Sequence, residues 1–240
     1  MYNLNDLFVM VQFHLNYILK CMPYILAHFV ILFLLRNILL RSFSTRQRGA
    51  GFSAFVATDL YYPFCLILLM LLLSWMVMAG MYLYLNLGFY LGGDFVFLAG
   101  VLLGWRMGWP VLLVQVLLMA AWFFQIGRSG LLITYVMFDS VIYFAVGLFS
   151  GSQFDVEEGD YDTSDILLVC VNKLIAALMS TVCWIMLMRD SWISGINILI
   201  HRLVGWPFAS LPMIFLVLFL MKQDARQRDL RTARKAENPA

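Results

Sequence analysis

Seven stretches of the chain are almost free of polar side chains: about 22–40, 61–86, 95–105, 110–127, 131–149, 166–188 and 206–221. None of them alternates apolar and polar positions with the period of two that a half-buried strand or barrel wall requires. A helix needs about 20 apolar residues to cross the hydrocarbon of a bilayer. In that medium every backbone N–H and C=O must find its partner within the protein, which leaves helices or closed barrels. The pattern therefore predicts an all-α, polytopic helical membrane bundle with about seven transmembrane helices. Ahead of them, Leu4, Leu7, Val11, Leu15 and Ile18 fall on one helical stripe interrupted by Asp6, Gln12, His14 and Asn16. That spacing predicts an N-terminal interfacial helix over 4–19, separated from the first span by Pro23. The semi-polar stretch 189–205 is expected to lie along the interface. The chain divides into a transmembrane helical domain, 1–221, and a basic cytoplasmic helical tail, 222–240.

Composition agrees with this reading. Of 240 residues, 63% are hydrophobic and 12% charged, against about 25% charged in soluble domains. The charges are segregated. Asp155, Glu157, Glu158, Asp160, Asp162 and Asp165 form an acidic loop, and six bases, Arg226, Arg228 and Arg231 among them, lie in the tail. Both segments are expected to dock a partner of opposite charge. Lys and Arg in short loops mark the cytoplasmic side. With seven spans the basic loop 41–48 and the tail share one side, which predicts the N-terminus outside and the C-terminus inside the inner membrane. Arg36, Arg106 and Arg202 read as interface anchors, Arg36 by snorkelling. Asp224 and Arg228 form an i,i+4 pair in the tail. The N-terminus has neither a basic n-region nor a small-residue cleavage site, so no signal peptide is expected. The bases sit beside the membrane, which argues against nucleic acid as a partner. Cys21, Cys65, Cys170 and Cys183 form no CxxC pair and are expected as free thiols.

Charged residues inside spans are costly unless paired or hydrated. Asp139 and Lys173 come to similar depths on neighbouring spans and are expected to form an intramembrane ion pair. With Asn172, Gln115 and Ser140 they could instead line a polar pocket or ion path. Asp94 and Arg128 sit at the outer ends of the third and fourth spans and are expected as an outer-face pair. Gly100, Gly104 and Gly108 repeat at four-residue spacing, the pattern that lets helix backbones approach closely. His14, His28 and His201 are scattered, and no metal or cofactor is indicated. No phosphate-binding loop, nucleophile elbow or HExxH zinc motif is present, so no enzyme is expected.

Three segments carry a family likeness: Gly92-Gly-Asp94 leading into Phe97-Leu-Ala-Gly-Val-Leu-Leu-Gly-Trp-Arg-Met-Gly-Trp-Pro110, then Gly127-Arg-Ser-Gly130, and Ala145-Val-Gly-Leu-Phe-Ser-Gly151. Over 92–151 this resembles the five-transmembrane receptor modules of the LytS/YhcK type. The resemblance implies a bacterial sensor region, commonly joined to a signalling output. The expectation from the whole sequence is a non-enzymatic bacterial inner-membrane protein. It would act through membrane or cytoplasmic partners, as a sensory module or as an accessory subunit, and further copies of the chain are allowed among those partners. The other reading is a solute-binding or transport protein with a polar pocket near Asp139 and Lys173.

Overall fold

A computed structural model describes residues 4–46, 52–85, 91–128, 130, 133, 136–153, 161–188 and 192–237. Among them every regular element is helical: α1 (Leu4–Arg46), α2 (Phe52–Leu85), α3 (Gly92–Gln125), α4 (Ile142–Gly151), α5 (Thr163–Met188), α6 (Trp192–Gly205) and α7 (Leu211–Glu237). A π-helical turn, Met137–Val141, precedes α4, and a second, Trp206–Ser210, joins α6 to α7 without interruption. Five helical stretches are long and apolar enough to cross a membrane: 5–42, 61–82, 92–125, 163–186 and 195–226. The chain is a multi-pass helical bundle.

Helix α5 shows why water is the wrong solvent. Leu168, Val171, Ile175, Met179 and Val182 recur every three or four residues on its outer face, all exposed. Its buried face carries Asn172, Lys173, Ser180 and Thr181. Apolar outside and polar inside inverts the soluble pattern, and an exposed apolar stripe of that length is stable against acyl chains.

Two expectations about α1 change. Pro23 lies within the helix, which runs unbroken from Leu4 to Arg46, so no separate interfacial helix is formed. In a packed bundle a neighbouring helix and small backbone adjustments absorb the hydrogen bond that proline removes. Arg36 turns inward instead of snorkelling. Its guanidinium pairs with both carboxylate oxygens of Asp224 of α7, and Oδ2 also accepts a 2.9 Å bond from the Tyr62 hydroxyl of α2. Asp224 thus has partners across the bundle; the side chain of Arg228, and with it the expected i,i+4 pair, lies outside the described residues.

Gly104 breaks α3 in two. Its φ of 59° and ψ of −165° are open to glycine and strained for other residues. The chain folds back there. A Cβ added to Gly108 would lie 2.9 Å from the Ala99 carbonyl, whereas nine residues of straight helix span about 13 Å. The arms 92–103 and 105–125 are therefore separate helices, with exposed Trp105 and Arg106 at the reversal. The shorter arm, about 18 Å long, is too short to cross a bilayer alone.

The glycine seam involves two of the three predicted residues and two others. At Gly100 an added Cβ would meet the backbone of Phe144, Gly147 and Leu148 at 2.7–2.8 Å. A Cβ on Gly108 would meet the Phe144 ring at 2.8 Å, one on Gly147 would clash with the Phe97 carbonyl, and one on Gly151 would meet the Val101 carbonyl at 2.5 Å. Gly104 has nothing within 4 Å; its role is the reversal. Backbone-to-backbone contact between 92–108 and α4 is what fixes the position of both.

Candidate functional site

Polar contacts arrange themselves by depth. Arg36 follows His14 by 22 residues and Asp224 follows His201 by 23, so each helix covers about 33–35 Å between these positions. Arg36 meets Asp224, and His14 meets His201 with 3.2 Å between their Nδ1 atoms. Two independent helices thus measure the same span, about one hydrocarbon thickness. The Arg36–Asp224 contact marks the tail side and the two histidines mark the far side.

Between these levels lie two more ion pairs. Arg202 sits at the far-side level. It donates to the Ala177 carbonyl (3.1 Å), Ser180 Oγ (2.7 Å), Thr181 Oγ1 (2.9 Å) and Asp139 Oδ1 (2.5 Å). Asp139 is held in the π turn before α4 and reaches α6 from there. Some 12 Å further in, at Ser210, Asp94 pairs with Lys173 at 2.5 Å, and Ser210 Oγ donates to its second oxygen at 3.0 Å. The Lys173 and Asp94 side chains are 5% and 4% exposed, those of Arg202 and Asp139 17% and 23%. Lys173 Nζ also lies 4.1 Å from the Tyr143 ring centroid, a cation–π contact that stabilises a desolvated ammonium.

These facts revise the predicted pairs. Asp139 and Lys173 do come into one cluster, with Tyr143 in electrostatic reach of all four charges, but their direct partners are Arg202 and Asp94. Asp94 is buried beside Lys173 and does not meet Arg128, which is exposed. Arg202 is no interface anchor. The neutral groups expected around Asp139 and Lys173 are engaged elsewhere. Gln115 accepts from Trp75 Nε1 (2.9 Å), Asn172 donates to Gln153 (3.2 Å), and Ser140 Oγ lies 3.2 Å from Met119 Sδ.

Sequence reading missed Arg202 because one arginine near a span end looks the same whether it faces lipid or protein. The sign that could have found it is the Ser180-Thr181 pair, two hydroxyls at the same depth on the preceding helix. The histidine pair, 187 residues apart in sequence, left no local signal.

The acidic loop is described only from Tyr161 onward; Asp155, Glu157, Glu158 and Asp160 lie outside the described residues. Asp162 and Asp165 form a reciprocal cap. The Asp165 N–H donates to Asp162 Oδ1 (3.0 Å) and the Asp162 N–H to Asp165 Oδ2 (2.7 Å), an acidic capping box that starts α5. Hydrogen bonds from the Ser164 hydroxyl and the Asp165 N–H hold the Asp162 carboxyl below its ordinary range. Arg226 is exposed on α7; Arg228 and Arg231 continue that helix, with side chains outside the described residues. Comparison with protein families, characterised proteins and solved structures finds no match to this chain.

Proposed function

We propose that this is a non-enzymatic bacterial inner-membrane module that acts through partners, relaying the state of its interior charge cluster to the basic tail. The observation that carries the reading is one uninterrupted helical path, 192–237, with a polar contact at each level. It bears Arg202 on Asp139, Ser210 on Asp94, Asp224 on Arg36 and Tyr62, and then the tail. Any shift at the Asp94–Lys173 pair has this helix as its direct outlet. The alternation of helix directions supports seven helices crossing in turn, with the arm 92–103 as a partial span, the N-terminus outside and the tail in the cytoplasm. On that topology the acidic loop and tail face the same compartment, where a signalling protein or a larger complex would dock, and the bases also contact anionic lipid. A LytS/YhcK-like receptor module, as the sequence resemblance implies, would act in this way. The test is co-purification in mild detergent with and without residues 222–240. Loss of a stoichiometric partner on deletion is expected; identical partners, or a lone monomer in both cases, sinks the proposal.

One observation favours solute binding or transport as a second reading: four ionisable side chains, Asp94, Asp139, Lys173 and Arg202, lie within the far-side half of the bundle, and interior charges commonly line ion or substrate paths. Replacing Asp139 and Lys173 together by Asn and Met separates the readings. Lost uptake or ligand binding with a folded protein supports transport. Altered partner association without any uptake defect supports the relay.

A further inference from the structure

The pair of histidines at the far side serves neither the charge cluster nor the tail. His14 of α1 and His201 of α6 meet in a T-shaped arrangement, ring centroids 5.1 Å apart and planes at 62°, with their Nδ1 atoms in contact. His14 Nε2 lies 2.7 Å from Asn197 Oδ1. That oxygen only accepts, so His14 carries its proton on Nε2 and turns the Nδ1 lone pair toward His201. A carbonyl oxygen that fixes the tautomer of a ligating imidazole is the usual outer support of a metal-bound histidine. In the metal-free chain the His201 Nδ1–H donates to the His14 Nδ1 across 3.2 Å; a metal takes the place of that proton when His201 carries its hydrogen on Nε2 instead, and the separation suits it. Two nitrogens about 2.05 Å from one tetrahedral ion lie about 3.3 Å apart.

We propose that His14 and His201 form a half-site for one divalent transition-metal ion of the imidazole-preferring class, Zn(II), Cu(II) or Ni(II), which clamps α1 to α6 at the membrane face opposite the tail. Two imidazoles supply half of a tetrahedral shell. Among the described residues no third His, Cys, Asp or Glu joins them, so water or a ligand from outside completes it. Asn197, bonded to His14, is exposed, so the pair lies next to the surface of the bundle. The nearest cation, Arg202, is paired with Asp139. The clamp stands independently of the relay.

The test uses the full chain in detergent, without a polyhistidine tag, stripped with EDTA and titrated with Cu(II) or Zn(II). One ion per chain is expected, with an affinity tighter than about 100 μM, and the Cu(II) spectrum carries nitrogen coupling from two imidazoles. His14→Ala and His201→Ala each lose this ion, and His28→Ala keeps it. Asn197→Ala weakens it by about 10-fold, as loss of a supporting hydrogen bond does. His201→Asn, which retains a polar side chain beside His14, replaces His201→Ala if that variant does not fold. No saturable binding by the native chain, or equal binding by His201→Asn, overturns the site.

Discussion

The two halves of this bundle handle charge differently. On the far side of Ser210, four interior charges lie within about 12 Å of depth, and Arg202, Asp94 and Lys173 are each held by more than one element. Between Ser210 and Asp224 the same helical path presents Met213, Ile214, Val217, Leu218, Leu220 and Met221 to the interior, all buried, for about 20 Å. The latch Arg36–Tyr62–Asp224 closes that half at the tail side, with the Tyr161 hydroxyl donating to the Leu218 carbonyl beside it. Lipid supplies no hydrophobic force to hold helices together, so the apolar half depends on shape, whereas the polar half depends on mutual neutralisation. Charge fixes register in one and packing fixes it in the other.

The largest expected effect tests the polar half. Lys173→Met leaves Asp94 buried and uncompensated and costs about 3–5 kcal/mol, whereas Lys173→Met with Asp94→Leu recovers most of the loss. Denaturant unfolding in micelles measures both, and equal losses would show that packing and not charge dominates there. Next, Arg36→Met removes a charged hydrogen-bonding partner but leaves Asp224 the Tyr62 hydroxyl, so a loss nearer 2 kcal/mol is expected. Protease cleavage within the tail, compared with the native chain, rises if the latch holds the tail's base in place. At the seam, Gly100→Ala or Gly147→Ala forces backbones apart and costs about 1–3 kcal/mol. Gly80→Ala, where nothing lies within 4 Å, is neutral or gains up to about 1 kcal/mol from helix propensity. The smallest effect concerns pH. Because the folded Asp162 carboxyl titrates below its unfolded value of about 3.9, its contribution is full above that value. It is lost as the pH falls through the lower folded value. Asp162→Asn should flatten the acid limb of a stability-against-pH curve and leave the neutral region nearly unchanged.

Much of the fold is legible in the sequence, because span length and the inside–outside contrast of α5 are one-dimensional signals. Glycine spacing also pointed to the correct seam, although it could not separate Gly104, which bends the chain, from Gly100 and Gly108, which permit contact. The continuity of α1 through Pro23 was illegible. A proline's effect depends on whether neighbouring helices replace the lost bond, and that is a tertiary fact. The pairing of interior charges was half legible. Depth along each span put Asp139 near Lys173, but which cation meets which anion depends on the face that each helix presents. The π turns at Met137–Val141 and Trp206–Ser210 alter that face by widening one turn.

The second of these turns makes chain length unusually negotiable at one place. In a π turn the backbone bonds reach one residue further than in ordinary α-helix, so excising a residue such as Phe208 would tighten the loop of bonds without rotating what precedes or follows it. Arg202 and Asp224 would keep their bearings, and only the presentation of Ser210 to Asp94 would be forfeited. A deletion, ordinarily the bluntest of changes to a helix, becomes here a selective one.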